Sequence, residues 1–376
     1  MSVSTASQAA AAAAAAILVL AACGDSPTGV GAAVPRGVVV LNGFGQQGVT
    51  LVADTGTSTA RIDFGASFDG GGMTLERDTV LSTSSRGGGD QLYVADLRAG
   101  SLRRVQLPAG SNPAGAAFLG ATGIGVALRD SGAVALVTFA GGTPAVGLQR
   151  NVGRCPNHLA AQGGALWVLD ANLNCDQRAY VVQGDSRLIR FAPTASGTGP
   201  RDTLVLAGVR NAGSMIVVGS TAFVSSAGVA DFSRFPLTTF AQPGSITQVD
   251  LAARRVVRTV SLPTGSYGAG MRLGGDGLLY VTAYTSTNFS TQDVFVYDQS
   301  LAIAGGTRAP GRQSLALTLA NGTAPACTAA TADARGRVYC AANGAGSATT
   351  VYVFDPNGAL LRATPAGQGA VSIAVR

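Results

Sequence analysis

A short hydrophobic pattern returns at regular intervals along this chain, and each return has the same internal order. Leu279-Tyr280-Val281 precedes Val294-Phe295-Val296-Tyr297-Asp298, and Val338-Tyr339-Cys340 precedes Val351-Tyr352-Val353-Phe354-Asp355. Leu92-Tyr93-Val94-Ala95-Asp96 precedes the segment 102–108, Leu166-Trp167-Val168-Leu169-Asp170 precedes 187–191, and Ala222-Phe223-Val224 precedes 246–250. A weaker copy covers 112–150, with 125–128 and 133–139 as its middle strands. Short β-rich runs separated by turn residues at even spacing demand an architecture that repeats one unit around or along an axis.

Residues 245–263 read as a strand, a tight turn and a second strand, and 270–282 as a further hairpin turned at Gly275-Asp276-Gly277. This order resembles the YVTN-type β-propeller repeat, in which an inner strand, a Gly-Asp-Gly-like turn and a "LYV" strand precede a "V-x-V-x-D" strand and an outer one. The resemblance implies six blades between about residues 73 and 367. The ends supply a seventh: 38–41, 48–52 and 60–64 look like the last three strands of a blade, and 370–376 like its missing inner strand. The expected fold is therefore all-β, a seven-bladed β-propeller closed by pairing of the C-terminal strand with the N-terminal strands, which leaves no free edge. Residues 37–376 give about 49 residues per blade, slightly more than propeller repeats usually need. Excursions at 172–186 and 228–244 account for the excess.

Composition agrees with β structure. Every basic residue is arginine, Glu76 is the only glutamate, and 52 residues are glycine. A chain without the usual Lys and Glu of helix surfaces is poorly equipped for helix, whereas tight hairpins and tapering blades use glycine. The net charge of +6 is dispersed, with no basic run or aromatic-interleaved patch, so nucleic acid is not an expected partner. No cofactor is expected, and a chain without lysine has no Walker A loop.

The N-terminus carries a second signal. Residues 9–22 are uncharged and apolar, too short for a bilayer-spanning helix of about 20 residues. They lead into Leu20-Ala21-Ala22-Cys23, which resembles the bacterial lipobox. That resemblance implies a lipoprotein signal peptide at 1–22, acylation of Cys23 as a membrane anchor, a flexible tether at 23–36 and the propeller domain at 37–376. The expected location is the cell envelope. Gly24 in place of aspartate points to the outer membrane, facing the periplasm or the cell surface.

Four cysteines remain: Cys155, Cys175, Cys327 and Cys340. An even number in an exported chain predicts disulfides. Cys327 and Cys340 bracket an Ala-Asp-Ala-Arg-Gly turn and are expected to face each other across a hairpin. A zinc site would need closer cysteine spacing and more than one histidine.

The candidate chemistry is sparse. Asp54-Thr55-Gly56 resembles the aspartic-protease signature, with Asp130-Ser131-Gly132 as its partner copy. Both triplets are expected between the same pair of strands in non-adjacent blades, too far apart to share a proton. His158, the only histidine, lies at the start of an inner strand in Cys155-Pro156-Asn157-His158, a position that borders a channel mouth in propellers. Asn112, Asn157, Asn211 and Tyr267 occupy equivalent starts and are expected to line the funnel with it. Asp96 and Asp170 end what read as second strands, where Asp is a turn former or, in a cluster, a calcium ligand. The functional expectation is a binding or scaffolding module for a protein or extended polymer. The alternative is a lactonase- or lyase-type enzyme working around His158.

Overall fold

The protein is described from a computed structural model covering residues 36–376 apart from 57, 71, 86–88, 121–122, 140–142, 178–179, 193–200, 232–238, 264, 287–291 and 303–314. The described residues all belong to one compact unit, Val34–Arg376. The expected signal peptide, Cys23 and all of the expected tether but Arg36 lie outside the described residues.

Seven antiparallel sheets form the seven blades. Blade 1 takes its inner strand from Ala370–Val375, followed outward by Gly37–Asn42, Gly48–Ala53 and Ser58–Asp63. Its register runs from Val38 opposite Val375 to Val40 opposite Ile373, closing the ring as expected. The other inner strands are Met73–Glu76, Pro113–Phe118, Pro156–Gln162, Ala212–Val218, Tyr267–Leu273 and Cys327–Ala332. Blade 6 shows three strands among the described residues, and the Leu315 N–H continues it by bonding the Val294 carbonyl at 2.6 Å. The excursion after Thr221–Ser226 carries its own hairpin, Val229–Asp231 with Thr239–Gln242.

Each blade is covered on both faces by its neighbours, so middle strands are apolar without alternation. Gly37–Asn42 is buried at every position. The core is accordingly a set of wedges between blades. Val39, Leu41 and Val49 of blade 1 meet Val80 and Tyr93 of blade 2, while Val38, Val40 and Ile373 meet Tyr339, Val351 and Val353 of blade 7. A fully buried side chain of this size contributes about 1.5–3 kcal/mol. Phe64, Phe68 and Tyr93 interlock with ring centroids 4.9–5.0 Å apart.

Three expectations need correction. Leu92-Tyr93-Val94 belongs to the third strand of blade 2, because Thr79–Ser84, a short uncharged segment, forms the second. Asp54 follows a third strand and Asp130 a second. Successive strands run in opposite directions, so the two aspartates sit on opposite faces of the ring. Finally, Cys327 and Cys340 are bonded, with Cα atoms 5.3 Å apart, but diagonally: Cys327 lies opposite Ala342 and Cys340 opposite Ala330, across a bulge. Cys155 and Cys175 form the second disulfide, tying the start of an inner strand to the 172–186 loop.

Candidate functional site: the central channel

The axis of the ring holds a cavity of about 190 Å³ lined from all seven inner strands. Small residues let seven strands converge there. At Gly115 even a Cβ would come within 2.9 Å of the Asn157 carbonyl oxygen. A β-bulge breaks the register near the start of five inner strands, at Pro113/Ala116, Pro156/His158, Ala212/Ser214, Gly268/Gly270 and Cys327/Ala329. Bulges re-aim side chains. Here the consequence is that two successive residues, Asn157 and His158, both reach the channel.

The Nδ1 atom of His158 is buried and makes no hydrogen bond. Burial, reinforced by the nearby charge of Arg272, lowers its pKa from the ordinary 6.5 to about 4. The Leu159 backbone pulls the other way. The imidazole is thus neutral at pH 7, with its Nδ1 covered by protein. Arg272 crosses from blade 6 to blade 1, donating to the Ile373 carbonyl at 3.3 Å, the Met271 carbonyl at 3.2 Å and the Ser372 hydroxyl. It retains some contact with the channel space but is enclosed by protein, and burial lowers its pKa to about 10. Arg129 also lines the channel, its Nε donating to Asn157 Oδ1 at 2.9 Å. Burial lowers its pKa too, against the opposing pull of Tyr180 and Asp130. Asn157 in turn holds the Ala212 carbonyl at 3.1 Å.

Of the five funnel residues expected from sequence, Asn157 and His158 line the channel. Asn112, Asn211 and Tyr267 instead brace the loops around its mouth. Asn112, with φ at 48°, donates to Tyr180 Oη at 2.8 Å and Asp130 Oδ1 at 3.2 Å. Asn211, with φ at 56°, donates to Tyr267 Oη at 3.0 Å, and Tyr267 stacks on Phe240 at 5.6 Å. Asn tolerates this left-handed backbone and spans to a neighbouring loop.

Sequence reasoning missed Arg272 and Arg129. A signal was present for the first: a lone charge inside the small and apolar run Gly270-Met271-Arg272-Leu273. Asp130 is held by Asn112 and Tyr180, while Asp54 accepts from Arg337 and Tyr339 in blade 7. Asp96 caps its own turn through the Arg98 and Ala99 N–H groups. Asp170 ends a second strand as read, but it is a fully buried partner of Arg187. Among the described residues no group of three His, Cys, Asp or Glu is placed to hold a metal ion.

No family model matches the chain, and no curated protein matches it. Solved structures do. A protein from Lactobacillus plantarum is 12% identical with a TM-score of 0.59, covering 91% of this chain and 99% of its own. The periplasmic gluconolactonase of Pseudomonas aeruginosa is 15% identical with a TM-score of 0.59, covering 90% and 98%. A candidate 6-phosphogluconolactonase from Bacteroides fragilis is 11% identical with a TM-score of 0.60, covering 90% and 97%. At these identities the likeness establishes the propeller fold; chemistry has to be argued from the site.

Proposed function

We propose that this chain is an exported, lipid-anchored β-propeller that binds a small polar molecule in its central channel. One observation carries the reading: an axial cavity of about 190 Å³ whose wall includes His158, Asn157, Arg129 and Arg272. A cavity below the usual 300–1,000 Å³ of drug-sized sites selects a small occupant. The binding role expected from sequence is kept, with a small ligand in place of an extended one. The lipobox resemblance at Cys23 supports anchoring in the envelope. Intact-mass measurement of the mature chain tests it, because an unmodified Cys23 would end the anchoring claim.

Blocking the channel tests the binding claim. Gly213 lines the cavity, and a Cβ placed there meets nothing within 4 Å. Gly213→Leu is therefore expected to fold normally and to lose the melting-temperature rises that small polar solutes produce in the parent protein. If the parent responds to no solute in a broad screen, the channel reading fails.

A second reading, hydrolysis of a small lactone, is favoured by the neutral imidazole beside a guanidinium. His158 would draw the proton from an attacking water, Arg272 would stabilise the negative charge gathering on the carbonyl oxygen, and the imidazolium would return the proton to the ring oxygen as its bond to the acyl carbon breaks. Two of the similar structures bear lactonase names, which supports this reading as an analogy. Lactone turnover that survives His158→Ala unchanged would dismiss it.

A further inference from the structure

The cation inside the channel has no anion. Arg272 bonds two backbone carbonyls and a hydroxyl, all neutral acceptors. No ion pair involves it among the described residues, and no carboxylate opposes the effect of burial on its pKa. The channel wall includes Arg129 as a second cation and, among the described residues, not one Asp or Glu. Three partly buried arginines elsewhere in the ring carry ion pairs, Arg187 with Asp170, Arg337 with Asp333 and Arg376 with Asp78, whereas Arg362 donates to the Asp54 carbonyl. An uncompensated charge in an enclosed space is costly, and such arrangements gather where a protein handles a ligand of the opposite sign.

We propose that the channel is a carboxylate site: a small hydroxy acid seats its carboxylate on Arg272 and lies along the wall that includes His158. The three bonds of Arg272 engage three of its five N–H groups, leaving two for a planar oxyanion. Hydroxyl-bearing side chains complete the wall, among them Thr74, Ser214 and Thr282. They suit a ligand rich in hydroxyls. The inference rests on the channel reading above and names the class of its ligand.

Calorimetric titration of the purified full chain with gluconate, glucose and inorganic phosphate tests it. Gluconate is expected to bind at least tenfold more tightly than glucose. Arg272→Gln should remove that preference, and Arg272→Lys should retain part of it, with circular dichroism confirming that each variant is folded. Should both Arg272 variants fail to fold, Arg129→Gln is expected to weaken gluconate severalfold and leave glucose unaffected. Glucose binding as tightly as gluconate overturns the anion site and leaves the channel reading intact. Phosphate binding without gluconate overturns the carboxylate assignment. No binding by any of the three, while other neutral solutes still stabilise the protein, overturns the proposal alone; silence to every solute overturns both.

Discussion

Asp54 and Arg337 lie 283 residues apart in sequence and meet at 3.4 Å across the seam where blade 7 abuts blade 1. Tyr339 Oη also donates to Asp54, at 3.2 Å, and Arg362 donates to the Asp54 carbonyl. Burial, aided by the Asp54 charge, holds the Tyr339 phenol protonated well above its usual range. The aspartate that resembles a protease residue is a latch. Asp54→Ala is expected to cost about 1 kcal/mol, because the pair is partly exposed and screened. Urea unfolding measures this, and no pepstatin-sensitive proteolysis should be found in the parent.

Asp170 is fully buried, with Arg187 at its Oδ2 and the N–H groups of Cys155 and Asn172 at its Oδ1, 2.8 and 3.1 Å away. Asp170→Asn removes a charged acceptor from Arg187, whose side chain is 28% exposed, and is expected to cost about 1.5–3 kcal/mol. Arg187→Gln in the same chain should recover part of that loss. A double-mutant cycle by urea denaturation reads the coupling.

His158 makes stability depend on pH. Its folded pKa of about 4 lies below the unfolded 6.5. Between those values the unfolded chain binds more protons, so stability falls as pH drops through that window and is complete above it. The loss is at most about 3 kcal/mol. Comparing urea midpoints of the parent and His158→Asn at pH 7 and 4.5 isolates it, since carboxylate titration is common to both. Arg272→Gln should raise the His158 pKa, which NMR titration would follow.

The two disulfides should differ in effect. Cys327 and Cys340 join the first two strands of blade 7, so replacing both by serine is expected to lower global stability by about 2–3 kcal/mol. Cys155 and Cys175 instead fix the base of the loop that carries Tyr180 to Asn112 and Asp130. Their loss should show first as faster hydrogen exchange in residues 172–186, with a smaller change in the melting temperature.

The ring was legible because its cause is local: each blade repeats one order of apolar runs and turns, and Ala370–Val375 reads as an inner strand without a blade. The blade 2 assignment slipped because Thr79–Ser84 carries hydroxyls where blades 4 to 7 carry the aromatic pattern. The channel was only half legible. His158 could be placed from its position in the repeat, but the bulge that turns Asn157 and His158 together toward the axis is a matter of strand register. Whether Arg272 has a counter-ion depends on what six other blades bring to the same point, and no local pattern reports that.

Strand Ala370–Val375 supplies both the closing pairs of blade 1 and the Val371 and Ser372 side of the channel. During synthesis, every nascent chain that stops short of these residues is an open arc with no axis to occupy. A channel walled on every side therefore arrives in a single step with this strand, and nothing that depends on that enclosure can precede it.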